Sequence, residues 1–262
     1  MNKPLKYTLL SICGGILALC IVCSYISGNR LRRDCVCKRL EVKVLDSLQN
    51  QFVTAADIRK VLDKTYGEYI GVKADSLDLV KIEDIVDRRS AVLKSEAYMT
   101  IDGTLHIDIT QRKPAARFQK NDGGFYADHD GYIFPLQNSF ASHVQIIDGH
   151  IPLAANSGYK GDITDPAEKA WLEKIMGLVN YIDGNSEWKN MIVQIHVTES
   201  SDLILIPREG NERFLFGQPD NFKAKFERMK KYYTAVVPEK GADKYRQVDV
   251  RYNISSSSRI SP

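Results

Sequence analysis

Residues 94–111 read KSEAYMTIDGTLHIDITQ. Over 94–101, Ala97, Met99 and Ile101 fall on one face of an alternating run, the period-two pattern of a half-buried strand. Asp102-Gly103 comes next, a pair suited to the positive φ angles of a tight hairpin turn. Leu105, Ile107 and Ile109 then alternate back along a second strand. A lone hairpin is marginal in water, so its apolar face needs other elements to cover it.

Those elements stand upstream. Leu40, Val42 and Val44 alternate over 39–46, which predicts another strand. Thr54-Ala-Ala-Asp57 has the chemistry of a helix start, with Thr54 as cap and Asp57 in the first turn, where a negative charge suits the helix dipole. Ile58, Val61 and Leu62 give it an apolar stripe. A second helix over 78–88 carries Leu79, Ile82, Ile85 and Val86 on one face. The predicted order within residues 40–112 is β-α-α-β-β, two helices packed on a small sheet.

Residues 113–254 have a different texture. Strands are expected over 115–119, 124–127, 132–136 and 144–148, with Asp130-Gly131 as a second hairpin signal. Asp165-Pro166-Ala167-Glu168 opens a helix, with Asp165 as N-cap, Pro166 at the first position and Glu168 closing a box-like cap. Its stripe is Trp171, Leu172, Ile175, Leu178, Val179 and Ile182. Strands over 191–197, 203–207 and 213–217 lead to an amphipathic helix marked by Phe222, Phe226, Met229 and Tyr233, ending before Pro238. A last strand alternates over 245–254, and 255–262 reads as a frayed tail. The fold class is α+β, the distal part a mainly antiparallel β-domain with two helices.

Ahead of all this, residues 7–26 (YTLLSICGGILALCIVCSYI) hold no charge. Twenty helical residues span about 30 Å, the thickness of a bilayer's hydrocarbon core. The expected order is a short tail (1–6), a transmembrane helix (7–26), a linker (27–39) and the two domains. A cleaved signal peptide fits less well, since the run is long and no small-x-small site follows it. A lipoprotein site is disfavoured because Leu19 precedes Cys20. Charge alone argues for a cytoplasmic bulk. Lys3 and Lys6 precede the span, but Arg30, Arg32, Arg33, Lys38 and Arg39 follow it.

The whole chain has 36 Lys/Arg and 33 Asp/Glu; removing residues 1–39 leaves 29 against 32, so the formal charge of +3 is juxtamembrane. No basic face suggests nucleic acid. The cysteines, Cys13, Cys20, Cys23, Cys35 and Cys37, all lie in or beside the span, which leaves the body without a disulfide framework. No nucleophile elbow, phosphate loop, zinc-protease helix or dinucleotide fingerprint occurs. The five histidines have no ligand spacing. Asp128-His129-Asp130 reads as a polar turn feeding Gly131 rather than a site. Lys223, Lys225, Arg228, Lys230 and Lys231 read as the solvated face of the last helix. No enzyme, metal or cofactor is indicated.

Taken in order, these segments resemble the bacterial division protein family FtsQ/DivIB, whose first domain has the POTRA fold. Residues 104–116 (TLHIDITQRKPAA) are similar to the family's last POTRA strand running into a Glu-Arg-x-Pro-x-Ala junction, with Gln111 where the acid is usual. Residues 126–134 (YADHDGYIF) are similar to its Asp-x-x-Gly hairpin. Residues 214–217 (FLFG), the helix over 221–236 and residues 248–252 (VDVRY) look like its closing β-helix-β unit. The resemblance implies a non-catalytic scaffold of the divisome in the bacterial inner membrane at the septum, N-terminus cytoplasmic and bulk periplasmic, against the charge count. It also implies that FtsB/FtsL-type single-span coiled-coil proteins are partners, coupled through them to septal peptidoglycan synthesis. The alternatives are another POTRA-bearing envelope assembly or secretion protein, or a membrane-tethered envelope enzyme.

From the residues themselves, the closing strand is the candidate binding element. Gln247, Val248, Asp249, Val250, Arg251, Tyr252 and Asn253 alternate cleanly at the end of the folded chain, and a terminal strand is a natural sheet edge for strand addition.

Overall fold

The computed structural model describes residues 13–23, 35–46, 51–137, 140–241 and 244–252. The chain divides into two compact units, residues 1–49 with 53–111 and residues 50–52 with 112–262.

The first unit contains β1 (Arg39–Val44), α1 (Ala55–Thr65), α2 (Leu79–Asp87), β2 (Val92–Met99) and β3 (Thr104–Gln111). Its sheet has the order β1-β3-β2, with β1 parallel and β2 antiparallel to the central strand. Leu105, Ile107 and Ile109 of β3 are fully buried, and Ile58, Leu62, Ile82 and Val86 of the helices are sealed with them. The caps follow the sequence: Thr54 accepts from Asp57 N, and Asp78 accepts from Lys81 N.

The hairpin differs from expectation at its tip. Thr100 N donates to Thr104 O, so the loop is the three residues Ile101, Asp102 and Gly103, and Ile101 leaves the strand for solvent. Gly103 takes φ +90, the left-handed residue that a three-residue loop needs. The Asp102 carboxylate ties the loop by accepting from the Thr100 and Thr104 hydroxyls.

Gln111 accounts for its own departure from the family motif. It is fully buried; its Oε1 accepts from Val53 N at 2.8 Å, and its Nε2 donates to Asp46 Oδ1 at 3.2 Å. An amide can accept from one neighbour and donate to the other. An ionised glutamate there would face the Asp46 carboxylate with like charge.

The second unit contains β4 (Pro114–Phe118), β5 (Phe125–Asp128), β6 (Ile133–Pro135), β7 (Gln145–Gly149), α3 (Pro166–Asp183), β8 (Ile192–Val197), β9 (Leu203–Pro207), β10 (Arg213–Gly217), α4 (Phe222–Lys231), a short helix α5 (Val237–Lys240) and β11 (Gln247–Asp249). One eight-stranded sheet has the order β11-β10-β9-β8-β7-β4-β5-β6. Of its seven pairings four are antiparallel and three parallel, so the sheet is more mixed than the expected mainly antiparallel domain. The parallel pairs join strands that the chain reaches by crossovers: β4 to β7 by way of β5 and β6, β7 to β8 by way of α3, and β10 to β11 by way of α4. Leu172, Ile175, Val179 and Ile182 of α3, with Phe226 and Met229 of α4, share one core with Phe118, Phe125, Ile147, Ile195, Leu205, Phe214 and Phe216 of the strands.

Arg112 fixes the start of this unit. Its Nη1 lies 2.8 Å from Asp128 Oδ2 in a largely buried ion pair, and its guanidinium sits 3.4 Å from the centre of the Tyr132 ring. The other oxygen of Asp128 accepts from Asp130 N and Tyr132 N. Asp128 is thus a turn-holding acceptor within the Asp128-His129-Asp130 cluster, while His129 pairs outward with Asn180. Among the described residues no group of His, Cys, Asp and Glu can hold a metal ion.

Two expected helix features change. Asp165 caps α3 through Ala167 N and Glu168 N, but the Glu168 carboxylate accepts from Ala154 N instead of reaching back. The last helix does not stop before Pro238. A π-turn over Tyr232–Val236 lets Val237 N bond to Tyr232 O, and Pro238 then falls in the first turn of α5, where a missing N–H costs nothing.

Within the expected span, residues 13–23 are helical and exposed, and residues 7–12 and 24–26 lie outside the described residues. Among the described residues no helix is long and apolar enough to cross a membrane. The tail over 1–6, most of the linker and residues 255–262 also lie outside them.

Two stability measurements follow. Leu105→Ala should cost about 2–5 kcal/mol in urea unfolding, the range for a fully buried leucine, while exposed Leu93→Ala should change little. Gln111→Glu should destabilise by about 1–3 kcal/mol, the penalty for a buried polar group left mispaired, and adding Asp46→Asn should recover most of the loss.

Candidate partner-binding edge

The two ends of the eight-stranded sheet differ. At one end β6 is partly closed: Ile133 and Gly161 exchange both backbone hydrogen bonds, at 3.1 and 2.9 Å. At the other end β11 runs parallel to β10, with Phe214 opposite Val248. Arg213 N donates to Arg246 O at 2.9 Å, and Val250 N donates to Leu215 O at 3.1 Å. Residues 246, 248 and 250 therefore turn their ladder groups toward β10. By the alternation of a strand, Gln247 and Asp249 turn their N–H and C=O the other way, where no strand pairs among the described residues.

The strand is shorter than its sequence promises. Alternation predicts 245–254, but only Gln247–Asp249 pair. What ends it is a set of captures. Arg228 Nη1, from α4, donates to Val250 O at 2.6 Å and, more weakly, to Arg251 O at 3.4 Å. Asp249 Oδ1 accepts from Arg251 N at 3.0 Å, and the two side chains form a forked pair, with Arg251 Nη2 2.8 Å from Oδ2. Backbone groups that would extend the ladder past residue 249 are thereby satisfied locally.

Of the candidate residues, Gln247 and Tyr252 are exposed, Val248 and Val250 point into the core, and Asp249 and Arg251 are half-buried as a pair. The expected grouping of Tyr252 with Val248 and Val250 is not kept, because the chain leaves strand geometry after Asp249. Asn253 lies outside the described residues.

Beside this edge lies a cleft of about 310 Å³ lined by Asp202, Asp220, Lys225, Arg228, Arg251 and Tyr252, among others. Its walls correct the reading of α4's cations as a solvated face for Lys225 and Arg228, while Lys223, Lys230 and Lys231 are exposed as expected. Lys225 is only 5 % exposed, with its ammonium on Gln218 O and Asp220 Oδ1 and over the Phe216 ring. Arg228 is committed to the chain end, as above. Gly217, at φ +70, permits the close approach here: a Cβ on it would lie 3.0 Å from the Arg251 stem. The Arg228 and Gly217–Arg251 contacts join residues distant along the chain, and those of Lys225 depend on how the turn before α4 folds back, so spacing signals none of them.

A second cleft, of about 440 Å³, is lined by Gln119, Lys120, Asn121, Asp148 and His150 among others. Asp148 accepts from Gln194 Nε2 and lies 2.9 Å from His196 Nδ1, while Lys120 turns its ammonium to the carbonyls of Leu153 and Ala155.

Burial pushes the Asp249 carboxyl up, but the hydrogen bonds from Arg251 outweigh it and hold the group below its ordinary 3.8. A carboxylate with a depressed folded value adds stability above its unfolded value and loses it as pH falls through the folded one. Asp249→Asn should accordingly lower the urea midpoint above about pH 4, and the gap from the parent should close as pH falls below 3.8.

Comparison with known families adds two matches. Residues 35–110 match a POTRA-like domain. Residues 113–255 match the family described as FtsQ/DivIB, C-terminal related. No curated protein matches the chain. The longer match spans more than half of the 262 residues, and the order of the two matches is that of residues 104–116, 126–134 and 214–252 in the sequence. The chain belongs to the FtsQ/DivIB family.

Proposed function

We propose that this division-related POTRA scaffold is anchored by residues 7–26 in the bacterial inner membrane, with its bulk in the periplasm at the septum. There it binds small single-span division proteins of the FtsB/FtsL type without catalysing a reaction, and so helps couple them to septal peptidoglycan synthesis. The uncharged run supports the anchor by its length. Family membership supports the outward orientation against the charge count, which rests on a six-residue tail.

One observation carries the binding mechanism: Gln247 and Asp249 present outward N–H and C=O groups at an end of the eight-stranded sheet where no strand pairs among the described residues. An extended partner segment added there gains main-chain hydrogen bonds for register. The neighbouring cleft, with acids Asp202 and Asp220 and bases Arg228 and Arg251, supplies side-chain selection. Only a short ladder is on offer, so the partner's affinity rests on that cleft and on Tyr252 as much as on backbone pairing.

Proline at 247 or 249 removes an outward donor and leaves the β10 ladder intact, whereas proline at 248 removes an inward donor. Gln247→Pro should abolish capture of a single-span partner by a photo-crosslinker at Tyr252 with the unfolding midpoint close to that of the parent, and Asp249→Pro should abolish it while Asp249→Asn, which loses the same Arg251 pair, keeps it. Undiminished capture in both proline variants would sink the strand-addition mechanism. Capture of a barrel or secretion component would move the chain to another class of POTRA protein.

A further inference from the structure

Among the described residues from 35 onward, the first unit leaves six large apolar side chains in solvent: Leu45, Ile70, Val80, Leu93, Tyr98 and Ile101. Two of them, Ile70 at 51 % and Ile101 at 66 %, flank the same short piece of chain. Residues 35–38 bring the polypeptide from the apolar N-terminal stretch into the domain, and both loops are hydrogen-bonded to them. On one side Gly71 N donates to Cys37 O at 2.7 Å and Cys37 N to Val72 O at 2.9 Å. On the other, Lys38 N donates to Gly103 O at 2.7 Å, and Cys35 Sγ lies 3.3 Å from Ile101 O.

Both loops are built to hold their isoleucine out. Gly71 and Gly103 have positive φ, and a Cβ on Gly103 would strike Val36 O at 2.6 Å, so that loop is locked against the incoming chain. The Asp102 carboxylate binds the Thr100 and Thr104 hydroxyls and the Arg39 guanidinium. The preceding Tyr69 is buried, its hydroxyl donating to Asp63. A rigid loop that places a large aliphatic group at its tip gains nothing inside the domain from doing so.

We infer that this end of the POTRA-like domain rests on the bilayer, with Ile70 and Ile101 inserted at the level of the lipid headgroups on either side of the incoming chain. The inference rests on the reading of residues 7–26 as a membrane anchor. If the span ends at Ile26, the eight residues 27–34 reach at most about 28 Å, so this end is confined near the lipid surface and even a weak contact is favoured. The charge suits an anionic surface: residues 30–39 hold five Arg/Lys and one Asp, and Lys38 and Lys73 are exposed beside the two loops. Glu68 and Asp75 are nearby acids, which makes the aliphatic tips the larger part of the contact.

The test uses the full chain in liposomes of phosphatidylcholine and phosphatidylglycerol whose acyl chains are brominated close to the headgroup. Ile101→Trp and Ile70→Trp report this end, and Leu93→Trp, on β2, is the control; the parent supplies the background from Trp171 and Trp188. Flotation with the liposomes reads the anchor separately. The expected result is flotation of every variant, with the emission added at 101 or 70 quenched at least about twofold more than that at 93. Flotation with no added quenching at 70 and 101, or with equal quenching at 93, overturns the lipid contact and leaves the anchor standing. Failure to float overturns the anchor, and the contact with it.

Discussion

The buried pair of Arg112 and Asp128 is the constraint from which the larger sheet is laid out. β4 begins two residues after Arg112 and pairs with β5 on one side and β7 on the other. Its register toward β5 starts with Pro114 opposite Asp128, the partner of the arginine. A slip of one residue would turn Ala116 and Phe118 out of the core and put Arg117 in their place. A charge pair taken out of water is expensive unless its remaining hydrogen-bonding capacity is met, and here two backbone N–H groups and the face of Tyr132 help meet it. One interaction thereby closes the β5–β6 turn and sets the strand from which pairing proceeds in both directions.

Much of the local structure was legible because it follows from spacing. Thr54 and Asp165 cap helices as their chemistry dictates, and the buried stripes of α1, α2 and α3 match the three-and-four spacing of their apolar residues. What escaped was decided by where the backbone turns and which side chains then meet its free groups. A strand of ten residues was reduced to three because Arg228 and the Asp249–Arg251 pair satisfy backbone groups that would otherwise prolong the ladder. Lys225 looked solvent-facing by its place in a basic run, yet Gln218, Asp220 and Phe216 enclose it. Pro238 read as a stop, and a single wide turn absorbs it.

Gln111 shows how a departure from a family motif can be a local necessity. An acid at that position would have to share its surroundings with Asp46, and the amide resolves this by donating to that carboxylate while accepting from Val53.

β10, α4 and β11 form a strand–helix–strand unit whose two strands are parallel, so the edge strand takes its place only after the helix has crossed over the sheet. Arg228 then fastens the end of that strand from the helix side. Contacts of this kind close late in folding, because the long intervening segment must be ordered first. An edge held in this way exists only where α4 has docked, so its geometry reports on the packing of the whole strand–helix–strand unit.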